Sequence, residues 1–131
     1  MEDSVAAKRL LLLIRHNAIR EAMACVLDKE SDLEVVSQVG SVADMADANL
    51  DHNIDVALVD LSRSDGDGMA AIRELSTQHG DVVVLALRLA PSSDSAPSII
   101  ERALESGAAR VLATPTRLKE VVDAIRSSTR V

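Results

Sequence analysis

The sequence contains no phenylalanine, tyrosine or tryptophan in 131 residues. That excludes the aromatic platforms on which single-stranded nucleic acids stack. It also fixes the material of the core, which Leu, Ile, Val, Ala and Met must fill. Cys25 is the single cysteine, so no internal disulfide can form. A reducing cytoplasm is the expected setting. Cys25 falls in a helical pattern and is expected to act as a small hydrophobe. Basic residues are outnumbered, with 14 Lys and Arg against 21 Asp and Glu and a net charge of −7. An acidic surface repels phosphate backbones, which argues against direct nucleic-acid contact, and it favours solubility. Long hydrophobic runs are missing as well. The apolar run near the N-terminus, Leu10 to Ile14, has only five residues. That is too short for a signal peptide or a membrane span, so no membrane partner is expected.

What is present is a chain of single-domain length with 47% apolar residues, enough for a sizeable core. Short apolar runs recur as "LLLLI" (10–14), "LEVVSQV" (33–39), "IDVALV" (54–59), "VVVLAL" (82–87) and "RVLA" (110–113). The first, third and fourth are apolar throughout, as strands buried on both faces are. The second carries Glu34, Ser37 and Gln38 and suits a sheet edge. Helical patterns fill the gaps. Asn17 is the expected cap of 17–29, with Ile19, Met23, Val26 and Leu27 on one face. Ser41 with Asp44 opens 41–50, and Met69, Ile72 and Leu75 group in 68–78. Ser98 and Glu101 read as a capping box for 98–107, with Gly107 as its stop, and Thr116 as the cap of 116–128.

This is the pattern of an α/β, flavodoxin-like (βα)5 three-layer sandwich with a parallel sheet in the order 2-1-3-4-5. A single domain spanning 1–131 is expected, with its core at about 8–128 and tails at 1–7 and 129–131. Sheets of this kind place ligands at the carboxyl ends of strands one and three. There the stretch "DVALVDLSRSDGDG" (55–68) ends a strand in Asp60 and continues into a loop with two glycines. That arrangement suits phosphorylation or metal binding. Arg15, His16 and Asn17 end strand one and should face Asp60. Asp65 and Asp67 lie on the loop, but Asp67 before Gly68 suits the turn into the next helix better than a metal. His16 has no second His or Cys at ligand spacing and reads as a loop-tip residue. "GDG" alone is no phosphate-binding fingerprint. "APSSDSAPS" (90–98) reads as a mobile loop on the same edge.

On these residues the chain resembles a response regulator receiver domain over about residues 8–128. The resemblance rests on "DVALVDLSRSDGDG" and "GAARVLATP" (107–115), and "REAMACVLDKESDLEVVSQVGSVADM" is similar to the NarL/LuxR-type subfamily. The family's chemistry uses an acidic pair after strand one, the acceptor Asp and a backbone carbonyl two residues beyond it to hold magnesium. A Thr or Ser after strand four and a Lys after strand five then bind the phosphoryl group. The resemblance puts the acceptor on Asp60 and the carbonyl on Ser62. The acidic pair falls on Arg15 and His16, or one position either way. The hydroxyl falls on Ala86, the lysine on Thr114, and the strand-five aromatic on Val111. The loop is kept and its partners are not.

The expected consequence is an atypical receiver with a degenerate pocket and no magnesium or other cofactor. It is not an enzyme, Asp60 is not phosphorylated, and the domain acts through protein–protein contact. It resembles the N-terminal part of a transcriptional regulator whose full length adds a C-terminal DNA-binding domain. Homodimerisation is expected through the first and fifth helices, or through the fourth helix, fifth strand and fifth helix. Arg15 either pairs with Asp60 or points to solvent, and Arg88 is a second candidate partner. One alternative is a small-molecule sensor that takes an anionic ligand among Arg15, His16, Arg88 and the 90–98 loop. The other is a working phospho-receiver on Asp60.

Overall fold

The computed structural model describes residues 7–47, 54–61, 67–88, 96–112 and 118–127. Strands and helices alternate through the chain: β1 (Lys8–Leu13), α1 (Asn17–Asp28), β2 (Leu33–Val39), α2 (Val42–Asp47), β3 (Val56–Asp60), α3 (Asp67–Gln78), β4 (Val83–Leu87), α4 (Ala96–Ser106), β5 (Arg110–Leu112) and α5 (Leu118–Ser127). The strands form one five-stranded sheet in the order β2-β1-β3-β4-β5, and all pairings are parallel. The order and the edge position of β2 match the sequence expectation.

Side-chain alternation divides the sheet's apolar content between two layers. Leu10, Leu12, Leu58, Leu85 and Leu87 pack with Met23 and Leu27 of α1 and Val121 and Ile125 of α5. Leu11, Leu13, Ala57, Val59, Val84 and Ala86 pack with Met45 of α2, Ile72 and Leu75 of α3 and Ala103 of α4. Both faces are therefore dry, which is why β1, β3 and β4 read as continuous apolar runs. Each fully buried Leu or Ile contributes roughly 1.5–3 kcal/mol relative to exposure.

Local signals account for most helix ends. The Ser41 Oγ accepts a 3.1 Å bond from the Asp44 amide and so caps α2. Gly107 follows α4 with φ of 125°, a conformation glycine adopts without a Cβ clash. Its missing Cβ also leaves room for Ser76 of α3, whose hydroxyl donates to the Ser106 carbonyl at 3.2 Å.

Three expectations are corrected. His16, not Asn17, is at the α1 N-cap, and no side-chain cap bond forms there. Asn17 is instead the first helical residue, and its Oδ1 accepts from Arg20 at 2.7 Å. α4 begins at Ala96, so Ser98 lies inside the helix rather than capping it. Pro97 in the first turn has no amide to leave unbonded, so the helix starts earlier than Ser98 suggests. Cys25 is exposed, and Ile19 is 40% exposed. α1 is apolar on more than one side there, and the sheet takes only Met23, Ala24 and Leu27 as buried residues. Thr116 lies outside the described residues, as does most of the 90–98 stretch.

At the amino end of the sheet, α5 is fastened to the start of the chain. Lys8 Nζ donates to the carbonyls of Ile125 and Arg126, at 2.8 and 3.3 Å. Arg126 reaches back to the turn before β2, with Nε 2.8 Å from one Asp32 oxygen and Nη2 3.0 Å from the other. Arg126 Nη2 also donates to Glu30.

Candidate functional site

The register brings the carboxyl ends of three strands side by side. Leu13 is paired with Val59, so Ile14 and Arg15 follow β1 beside Asp60. Asp60 is paired with Leu87, and Arg88 is the next residue of that strand end. Backbone bonds extend the ladder past the strands: Ile14 donates to Val39 at 3.1 Å, Leu61 to Leu87 at 2.7 Å and Arg88 to Leu112 at 3.0 Å. These residues therefore have fixed backbones at one edge.

Two buried charges lie at that edge. Asp60 is 7% exposed and Arg88 is 5% exposed, and they are the only buried polar or charged residues among those described. Alternation sets them on opposite faces. Asp60 follows Leu58 toward the α1/α5 layer, and Arg88 follows Ala86 toward the α3/α4 layer. Asp60 and Arg15 both have polar or electrostatic partners, while Arg15 and His16 are exposed.

The glycine eight residues after Asp60 has a steric cause. A Cβ on Gly68 would lie 2.8 Å from the Asp60 carbonyl oxygen and 2.9 Å from Leu61 Cδ2. Only glycine lets the first turn of α3 rest directly on the end of β3. Ser62, Thr114 and Asp65 lie outside the described residues, and Asp67 opens α3 without a described side chain.

Two further points depart from the sequence reading. Ala86 does not line the edge. It is paired with Val59, fully buried and packed in the α3/α4 layer, and β4 ends one residue later. The position after strand four therefore belongs to Arg88. Arg20 was not singled out, yet it closes the end of β1. Its Nη1 donates to the Ile14 carbonyl at 2.8 Å, and its Nε is buried without a partner among the described residues. Gly40 makes room for it, since a Cβ there would approach Nη1 to 3.0 Å. The available signal was Arg20 three residues after Asn17, whose side chain it uses.

Residues 14–126 match the family model for the response regulator receiver domain. The chain belongs to that family. Among curated relatives, the receiver is 25% identical over 122 residues to the transcriptional regulatory protein LiaR of Bacillus subtilis, covering 93% of this chain and 56% of that protein. It is 26% identical to the response regulator protein VraR of Staphylococcus aureus, over the same shares of 93% and 56%. The chain thus spans about half the length of the curated relatives it matches. Its fold is similar to the signal receiver domain of the response regulator NarL from Mycobacterium tuberculosis, with TM-score 0.78, 24% identity and coverage of 93% and 95%. It is also similar to a LuxR-family two-component response regulator from Aurantimonas, with TM-score 0.79, 20% identity and coverage of 93% and 84%.

Receivers of this family hold magnesium beside the acceptor carboxylate. The described residues do not fit that ion. Magnesium takes several oxygen ligands in near-octahedral geometry. The ends of β1, β3 and β4 contribute one carboxylate, Asp60, together with Ile14, Arg15, His16 and Arg88. No group of three His, Cys, Asp or Glu residues converges among the described residues. The other polar residues described after these strand ends are Arg15, His16 and Arg88, none of them an oxygen ligand through its side chain.

Proposed function

We propose that this receiver is the regulatory part of a longer transcriptional regulator and that its output does not run through phosphorylation of Asp60. The observation that carries the reading is the set of residues on the strand ends: Ile14, Arg15 and His16 after β1, and Arg88 after β4. In-line phosphoryl transfer depends on cations that neutralise the phosphoryl oxygens, and on magnesium as the template for them. A site that offers Asp60 as its one carboxylate among the described residues loses this stabilisation. Among the described residues the one that follows β4 is Arg88, not a hydroxyl, so a phosphoryl group also loses one of the contacts that turn modification into a change of state. Arg15 beside Asp60 supplies a built-in positive charge.

The domain then acts as a regulatory signalling module, not an enzyme, through contacts between helix faces. A homodimer through α1 and α5, or through α4, β5 and α5, is the form we favour. LiaR's description as a transcriptional regulatory protein and the 56% coverage of its length support our reading that the complete protein adds a second, DNA-binding region. A cytoplasmic setting is consistent with one cysteine and with the described residues, none of whose helices is long and apolar enough to cross a membrane.

The test is incubation with acetyl phosphate and magnesium, followed by intact mass. The mass is expected to stay unchanged. A gain of one phosphoryl group that disappears in Asp60→Ala would overturn the proposal. Sedimentation over a range of concentrations tests the dimer, and a monomer at every concentration would remove that part.

A further inference from the structure

β2 is an outer strand of the sheet, and among the described residues it pairs with β1 alone. The opposite outer strand, β5, has only three residues and offers little to pair with. β2 has seven, Leu33–Val39. Leu33, Val35, Val36 and Val39 make it apolar, and it contains no glycine or proline. That is the composition of a segment that pairs readily with its like. Its one charged residue, Glu34, lies 3.5 Å from Arg9 on the neighbouring strand. An outer strand of this kind is a template for strand addition unless something blocks it.

Bonding direction alternates along a strand. Lys8 donates to the Asp32 carbonyl and Ile14 to the Val39 carbonyl, so counting from each end turns the amides of Val35 and Gln38 outward. Two features act on that outward edge. The register against β1 slips after Val35: Leu10 is paired with Val35 and Leu11 with Ser37, so Val36 is an extra residue. Such a bulge bends the strand and interrupts a regular ladder. Beside it, the Val35 amide donates to Asp28 Oδ1 at 2.9 Å. Asp28 is the last residue of α1. Backbone bonds from Glu30 to the Leu27 carbonyl and from Leu33 to the Glu30 carbonyl hold the turn that follows it. An aspartate there works against the helix, whose carboxyl end carries partial negative charge, and the last turn of α1 contains no basic residue to offset it. The bond from Val35 gives the carboxylate a use at that position.

We propose that Asp28 guards the β2 edge: its carboxylate occupies the outward Val35 amide and keeps β2 of a second copy from adding to the sheet. A strand that paired there would take that amide for its own carbonyl. It would also leave the Asp28 carboxylate desolvated beside the new ladder, which is strongly unfavourable. The partner excluded is a second copy, because the apolar segment without glycine or proline that would pair is this chain's own. The edge is a latent interface held shut by one side chain, and it does not depend on how Asp60 is used.

The experiment follows amide exchange and sedimentation of the whole chain, with a capped peptide of residues 33–39 as the probe strand. In the wild type the Val35 amide should exchange more slowly than that of Gln38, and the peptide should not bind. Asp28→Ala should speed exchange at Val35 by about tenfold. It should also bind the peptide and associate beyond the wild type as concentration rises. Asp28→Asn keeps an oxygen that accepts from Val35 and should behave as the wild type does. Glu74→Ala removes the same charge from the exposed side of α3 and should change nothing. Unchanged exchange at Val35 in Asp28→Ala, or faster exchange with neither peptide binding nor added association, overturns the proposal. So does a wild type that binds the peptide, or Asp28→Asn behaving as Asp28→Ala does. If Asp28→Ala does not fold, the wild type decides, since exchange at Val35 as fast as at Gln38 removes the guard. The wild type's own oligomeric state is the baseline, so the dimer through helix faces is tested separately.

Discussion

The two ends of the sheet handle charge in opposite ways. At the amino end, Glu30 and Asp32 are paired with Arg126 in solvent, and Lys8 bonds the last carbonyls of α5. At the carboxyl end, Asp60 and Arg88 are buried, and the arginines Arg15 and Arg20 crowd the same edge. Exposed pairs are screened by water and salt and add little to stability. Buried charges are costly, so a sequence that keeps two at one edge has a use for them there. The amino end is a fastening, and the carboxyl end is where the buried charges lie.

Substitutions at and between the ends sharpen that contrast. The largest effect belongs to the dry centre. Leu58→Ala removes a fully buried side chain and should cost about 2–5 kcal/mol in denaturant unfolding. Next comes the carboxyl end. Gly68→Ala forces a Cβ against the Asp60 carbonyl and should cost about 1–3 kcal/mol, with faster amide exchange at the start of α3. The smallest effect belongs to the amino end. Arg126→Ala should lower the melting temperature slightly at low ionic strength, and high salt should erase the difference. Acid should erase it too. The hydrogen bond from Arg126 holds the Asp32 carboxyl below its usual range. A depressed carboxyl pKa contributes stability above the unfolded value and loses it as pH falls through the folded value. Asp32→Asn should therefore flatten the acid limb of the stability profile. If Arg126→Ala exceeded Leu58→Ala, the ranking of the two ends would be wrong.

The sequence made the sheet legible because both of its faces are buried. Runs such as Leu10 to Ile14 can only be interior strands, and Glu34 and Gln38 mark the edge. Asp60 at a strand end, Ser41 as a cap and Gly107 as a stop were readable because each acts within a few residues of itself. Ala86 and Arg88 were not separable, because which of them reaches the edge depends on the register of β4 against β3. Cys25 was misread because "AMACV" offers apolar residues on several sides of a helix, and only tertiary contact chooses among them. Arg126 and Asp32 are 94 residues apart, and no local pattern announces such a pair. Arg20 was hidden for a related reason, since its role depends on the Ile14 carbonyl and on the room left by Gly40.

The Lys8 bonds to the last turn of α5 have a topological consequence. A lysine side chain spans only about two residues of extended chain, so the beginning of β1 and the end of α5 are neighbours in space. The domain is nearly a closed ring. A short glycine-rich linker can join residue 127 to residue 7, and new ends can be opened at an exposed turn such as Gly80 between α3 and β4. For the same reason the domain can be spliced into a loop of a host protein with its two junctions side by side, leaving the Asp60 and Arg88 edge facing away from the graft.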